Sequence, residues 1–116
     1  MACRRGFWGR FEEERSGVYA TNVRWRQGIL LLEFAEERMA HGDCTGAIAL
    51  FDELLELRPT ADQLATAYYR KGLCLEDLHR LDEAREHYRL VLEIPAGEGG
   101  RVQHEARQRL RETADR

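Results

Sequence analysis

The stretch from residue 42 to residue 59, GDCTGAIALFDELLELRP, constrains the fold of this chain more than any other. Read as a helix, it places its apolar residues on one face, at the spacing of a core-facing stripe. These residues are Ala47, Ile48, Phe51, Leu54 and Leu55. Gly42 can end a preceding helix in the left-handed conformation, and Asp43 can then accept hydrogen bonds from the first free amides of the next one. Because Pro59 ends the segment, we interpret it as the second arm of a helix hairpin.

The same pattern occurs again in LDEAREHYRLVLEIP, residues 81–95. In both copies a small residue stands four places before an aromatic one, and a proline follows. The residues are Ala47, Phe51 and Pro59 in the first copy, and Ala84, Tyr88 and Pro95 in the second. Another helical pattern precedes each copy, with a small residue at Ala35 and at Gly72. The sequence therefore predicts two helix hairpins in tandem.

From about residue 28 to residue 95, these residues resemble the signature of the tetratricopeptide repeat family. That signature has a large residue, a small Gly or Ala, and then Ala-x3-aromatic and Pro at fixed offsets. The chain departs from it in three ways. Ala47 and Ala84 are 37 residues apart instead of the family's 34, Ala35 stands where Gly is commoner, and His79 occupies a turn that usually carries Gly. The resemblance implies an all-α fold in which antiparallel helix hairpins stack into a short right-handed superhelix.

The first and third helices are predicted to run from residue 21 or 22 to about His41, and from Thr60 to about Leu78. Thr60 and Gln63 are predicted to form a capping box. The predicted inward-facing residues of the first helix are Trp25, Leu31, Phe34 and Ala35. Those of the third helix are Leu64, Ala67, Tyr68, Leu75 and Leu78.

Three parts are predicted along the chain. Residues 1–20 form a basic, aromatic arm that we expect to be flexible on its own, and residues 21–96 hold the two hairpins. Residues 97–116 hold a C-terminal capping helix from about Arg101 to Thr113, with a narrow apolar stripe and a solvated outer face. For the arm, two interpretations stay open: vector residues or a misplaced start codon, and a docking segment.

Composition favours a cytoplasmic, helical protein. Charged residues make up 34% and hydrophobic residues 43% of the chain, and the three cysteines are too few and too irregularly spaced for a disulfide framework or a zinc site. The longest apolar run, Ile29–Leu32, is far shorter than a membrane span, and no secretory signal is recognisable. We therefore expect a soluble protein without membrane contact.

No residue pattern indicates catalysis. Ser16 is the only serine and lacks a glycine elbow, and Cys74 falls in mid-helix without the surroundings of a reactive thiolate. The four histidines do not have zinc-ligand spacing, and the glycines near residue 98 are not followed by the Lys-Ser or Lys-Thr of a phosphate loop. We expect no enzyme activity, no metal and no cofactor.

Nucleic acid is a weaker hypothesis than protein as the partner. The segment RRGFWGR, residues 4–10, mixes arginines that can neutralise phosphates with aromatics that can stack on bases. Residues 27–59, however, hold seven acidic residues and two arginines, a balance of −5, and the whole chain carries −3. That charge opposes a polyanion everywhere except at the arm.

The resemblance implies instead a concave groove, lined by the first helix of each hairpin, that binds an extended peptide or a helix of a partner protein. It places eight residues there. They are Ile29, Leu32, Glu36 and Met39 in the first hairpin, and Thr66, Tyr69, Leu73 and Glu76 in the second.

The side chains of this groove predict the kind of partner. Leu32 and Glu36 stand where some family members clamp a carboxylate with Lys and Asn, so we expect a basic or apolar partner instead of an acidic one. Three alternatives stay open. The apolar strip can be the seam of a homodimer, the arm can lie in the groove, or the arm can bind nucleic acid.

Overall fold

The computed structural model describes residues 22–96 and 100–114, and every regular element within these ranges is an α-helix. The arm predicted at residues 1–20 lies outside the described residues. Five helices follow one another: α1 over residues 22–40, α2 Cys44–Glu56, α3 Ala61–Asp77, α4 Leu81–Glu93 and α5 Arg101–Thr113. The prediction of an all-α hairpin fold is confirmed.

The turn between α1 and α2 has the predicted chemistry. Gly42 adopts a left-handed φ of 77°. Its N–H bonds the Met39 carbonyl at 3.0 Å, and the Asp43 N–H reaches back to the Arg38 carbonyl at 2.8 Å. These two bonds satisfy carbonyls that the end of a helix leaves free. The Asp43 carboxylate then accepts from the Gly46 N–H at 2.9 Å and caps α2.

Helix α3 begins at the predicted capping box. The Gln63 N–H donates to the Thr60 hydroxyl, and the Thr60 N–H donates to the Gln63 side chain, both at 3.2 Å. At its other end, His79 adopts a left-handed φ of 61°. The Arg80 N–H bonds the Leu75 carbonyl at 2.8 Å, so this turn has the same geometry as the turn at Gly42, although its left-handed residue carries a side chain.

The helices pack in chain order, and α3 also contacts α5. Two clusters of buried residues hold them together. The first contains Ala35, Cys44, Ala47, Phe51, Leu54, Ala67 and Cys74, and the second contains Ala65, Leu75, Ala84, Tyr88, Val91 and Ala106. The two aromatic residues of the repeated pattern, Phe51 and Tyr88, are fully buried, one in each cluster. At Gly72 a Cβ atom would lie 2.5 Å from the Tyr88 ring, so this position needs glycine.

Three residues predicted to face inward do not. Trp25 and Phe34 are 50% and 52% exposed, and Leu78 is also exposed. Neighbouring residues of a helix point about 100° apart, so the direction that buries Ala35 leaves Phe34 at the margin of the contact. Leu78 lies just beyond the last residue of α3, where the chain turns.

Candidate functional site

The residues predicted for the groove fall on one stripe of α1 and one stripe of α3. Ile29, Leu32, Glu36 and Met39 repeat at intervals of three and four residues, and so do Thr66, Tyr69, Leu73 and Glu76. On α1, Leu32 and Met39 are half-buried and pack against the first core cluster, while Glu36 is exposed. The α1 stripe thus has an apolar floor and one charged side chain.

Helices α1 and α3 lie side by side and are linked by polar contacts. The Gln63 side-chain amide donates to the Trp25 carbonyl at 3.1 Å. Further along, the Arg70 guanidinium is 2.5 Å from the Glu36 carboxylate. A Cβ atom added at Gly28 would lie within 3 Å of the Gln63 side chain, which shows how closely the two helices approach.

Trp25 extends the α1 stripe by one turn. It precedes Ile29 by four residues and Leu32 by seven, so all three lie on the same side of the helix. Its half-exposed indole borders a depression that Arg58 and the start of α3 also line. The prediction that Trp25 faces inward is wrong. Its spacing to Ile29 and Leu32 was the signal that could have placed Trp25 on this stripe.

On α3, the stripe lies between the second core cluster and α5. Tyr69 and Leu73 are half-buried against that cluster, and the Tyr69 ring centroid is 5.8 Å from that of Tyr88. Burial, and next the negative charge of Glu105 in α5, raise the pKa of the Tyr69 phenol. Tyr69 therefore remains a neutral hydrogen-bond donor at the junction of α3 and α5.

Glu76, which was predicted to line the groove, does not present an open negative charge. Only 5% of its side chain is exposed. Arg109 of α5 donates to both carboxylate oxygens, from Nε at 3.0 Å and from Nη2 at 2.6 Å, and the Tyr88 hydroxyl donates to Oε2. The Arg109 Nη1 atom also pairs with Glu112 at 2.9 Å. Glu76 is thus neutralised within the chain.

This network changes the protonation behaviour of its members. Hydrogen bonding to Glu76 raises the pKa of Arg109, which stays charged, and burial together with the bond to Glu76 raises the pKa of Tyr88. Arg109 and Tyr88 thus both donate hydrogen bonds to the Glu76 carboxylate. The network joins α3, α4 and α5 instead of presenting a free charge to a ligand.

The thiols of α2 and α3 are poorly suited to chemistry. Cys44 and Cys74 are buried and unbridged, and burial raises the pKa of both. The Cys44 thiol donates to Asp77 at 3.6 Å. Both sulfurs therefore stay protonated at neutral pH and are weak nucleophiles. Within residues 22–96 and 100–114, no three His, Cys, Asp or Glu side chains converge as metal ligands would.

The described helices are all too short or too polar to cross a lipid bilayer. Comparison with curated proteins and with solved structures yields no match. The family model of the tetratricopeptide repeat matches residues 32–99, which is more than half of the chain and includes α2, α3 and α4. The hairpin turns, the small residues at Ala35 and Gly72, and the buried aromatics Phe51 and Tyr88 agree with that match. The chain therefore belongs to the tetratricopeptide repeat family.

Proposed function

We propose that this chain is a non-catalytic interaction module that binds a peptide or helix of a partner protein along the stripe shared by α1 and α3. Tetratricopeptide repeat domains typically bind other proteins and generally serve as non-catalytic scaffolds. The observation that carries the proposal is Trp25, a large aromatic residue that is half-exposed in register with the half-buried Ile29 and Leu32. Aromatic residues next to an apolar floor are the usual centres of binding energy at protein interfaces.

The residues proposed to contact the partner lie on the stripe of α1 and the stripe of α3. They are Trp25, Ile29, Leu32, Glu36, Met39, Thr66, Tyr69 and Leu73. Glu76 is left out because Arg109 already binds its carboxylate. Apolar side chains thus supply most of the area, while Thr66 and the Tyr69 hydroxyl offer hydrogen bonds.

The charges near the stripe favour an apolar or basic ligand over an acidic one. The Glu36 carboxylate is half-exposed and pairs with Arg70, whose side chain is mostly covered. A cation of the ligand can share Glu36 with Arg70, whereas an anion would have to displace Glu36 from it. We infer that a peptide with apolar anchors and a Lys or Arg near Glu36 fits best.

We also propose a role for each of the three parts of the chain, and a cytoplasmic location. Residues 21–96 would act as the binding body, residues 97–116 would cap it through α5, and residues 1–20 are the arm predicted from the sequence. The packing of α5 on α4 supports the capping role. Cytoplasmic location is supported by the free thiols of Cys44 and Cys74, since thiols persist in a reducing compartment.

The test is affinity capture from native lysate with three baits: the intact chain, Trp25→Ala and Phe34→Ala. Trp25 and Phe34 are equally exposed on the same helix, but Phe34 lies off the stripe, so it is a matched control. A partner retained by the intact chain and by Phe34→Ala, and lost with Trp25→Ala, is the expected result. Equal capture by all three baits would contradict the proposal.

Two further functions remain as competing outcomes. If the stripe is the seam of a homodimer, Trp25→Ala will convert a dimer to a monomer in light scattering without the loss of any other protein. If the arm binds nucleic acid, removal of residues 1–20 will abolish salt-dependent binding to generic RNA or DNA.

A further inference from the structure

The two ends of the helix stack carry complementary side chains, and we propose that they bind each other, so that α5 of one copy docks on the outer face of α1 in the next. This surface is separate from the stripe of α1 and α3. Because the helices pack in chain order, α1 and α5 lie at opposite ends of the stack.

The outer face of α1 combines apolar and acidic residues. Leu30 and Phe34, one turn apart, are 49% and 52% exposed. Phe34 and Leu50 of α2 line an open depression of about 560 Å³. Its border also includes Glu37, His41 and the ion pair of Arg38 with Asp43. With the described residues, Glu33 and Glu37 form no ion pair.

The outer face of α5 is basic. His104, Arg107, Gln108 and Arg111 surround a depression of about 270 Å³ on the side of the helix away from the buried Ala106. Arg101 and Arg109 each hold a carboxylate, at Glu105 and Glu76. Arg107 and Arg111 hold none among the described residues, so their charge is available to another molecule.

The charges on the outer faces of α1 and α5 match in spacing as well as in sign. Arg107 and Arg111 are one turn apart, about 6 Å along the helix, and so are Glu33 and Glu37. A guanidinium binds a carboxylate through paired hydrogen bonds and also stacks on an aromatic ring. Two arginines can therefore bind both carboxylates while their stems cover Leu30 and Phe34.

The arginines of α1 restrict the register, although Arg38, which borders the depression at Phe34, is already paired with Asp43 at 3.2 Å. Arg26 lies on the same side of α1, about 10 Å before Glu33. Arginines that docked nearer to the start of α1 would meet this like charge. The favoured register is therefore the one that opposes Arg107 and Arg111 to Glu33 and Glu37.

The mode of assembly follows from the two surfaces being different. A contact between unlike patches leaves one free patch at each end, so it extends head to tail instead of closing as a dimer. If the outer face of a capping helix serves only to be solvated, its charges can be of either sign. The two arginines on the outer face of α5 that are unpaired among the described residues, Arg107 and Arg111, are thus explained by a negatively charged surface that they meet.

Sedimentation velocity of the full chain over a wide concentration range tests this. We expect the mean mass to rise with concentration at low salt and to fall when salt is added, because exposed ion pairs are screened. Arg107→Glu/Arg111→Glu and Glu33→Lys/Glu37→Lys should each weaken association at least about tenfold. The control Glu53→Lys/Glu56→Lys reverses two exposed charges on α2 and should associate as the wild type does.

The decisive sample is an equimolar mixture of the two charge-reversed variants. In the mixture the acidic α5 face of one variant meets the basic α1 face of the other, and the unchanged faces also match. Association should therefore return to near the wild-type level. A wild-type chain that is monomeric at every concentration, or a mixture no more associated than its components, overturns the proposal. Loss of association with Trp25→Ala but not with the charge reversals also overturns it and assigns self-association to the groove.

Discussion

Arg109 of α5 donates two hydrogen bonds to the carboxylate of Glu76 in α3, although 33 residues separate them in the chain. Glu76 is almost fully buried, and it also accepts a hydrogen bond from the Tyr88 hydroxyl of α4. The ion pair and this hydrogen bond together link the capping helix to both helices of the second hairpin.

Replacing Arg109 should destabilise the protein strongly. Arg109→Met would remove two hydrogen bonds and a guanidinium charge from the buried Glu76 carboxylate, which we expect to lower the free energy of unfolding by about 2–4 kcal/mol. Urea unfolding measures this. Arg107→Met, on the exposed face of the same helix, is the control and should change stability by no more than about 0.5 kcal/mol. Equal stability of the two variants would show that the ion pair is unimportant.

The left-handed turn at His79 predicts a stabilising substitution. His79 has a φ of 61° and an exposed side chain, and a non-glycine residue in this conformation is strained by about 1 kcal/mol. We expect His79→Gly to raise the free energy of unfolding by about 0.5–1 kcal/mol. Gly42→Ala, at the equivalent position of the first turn, should lower it by a similar amount. If both substitutions change stability in the same direction, the explanation by turn geometry is wrong.

The contact between Gly72 and Tyr88 predicts that one methyl group added at position 72 destabilises the protein. Alanine normally favours a helix over glycine by about 1 kcal/mol. At position 72, however, its Cβ would overlap the Tyr88 ring, so we expect Gly72→Ala to destabilise the protein by about 1–3 kcal/mol. Thermal unfolding measures the change. An increase in melting temperature would mean that Tyr88 moves freely.

The buried tyrosine at the ion pair predicts a loss of stability at alkaline pH. The pKa of Tyr88 is raised from 10.0 by burial and by its bond to Glu76, so the folded protein retains a proton that the unfolded chain releases. The contribution of Tyr88 to the free energy of unfolding is fully present below pH 10. Above pH 10 this contribution decreases by up to about 1.4 kcal/mol per pH unit. Urea unfolding between pH 9 and pH 11 should show a shallower decline for Tyr88→Phe than for Tyr68→Phe. Tyr68 is the matched control because its ring contacts His87 instead of Glu76. Identical declines would contradict this assignment.

Local sequence was sufficient to predict the helices and their ends. The turn at Gly42 and Asp43 and the capping box at Thr60 depend on neighbours within five residues, and each formed as predicted. The buried aromatics Phe51 and Tyr88 followed from the repeated spacing. These features are determined by backbone geometry and by the period of the helix.

Long-range relationships were not predictable in the same way. Helical periodicity gives the face of a residue but not the helix that covers it, so Trp25 and Phe34 were assigned to the core. Helical periodicity also does not show which of the many arginines in the chain pairs with Glu76. The pairing of Glu76 within the chain was therefore missed.

The most direct test of the proposed binding function is to map where a captured partner segment contacts the folded protein. Backbone amide chemical shifts of the labelled chain would be followed by nuclear magnetic resonance as the segment is added. We predict the largest changes at Trp25, Ile29, Leu32, Thr66, Tyr69 and Leu73, with little change along the exposed sides of α2 and α4. Changes confined to α2, α4 or the outer face of α5 would contradict the assignment of the groove as the binding site.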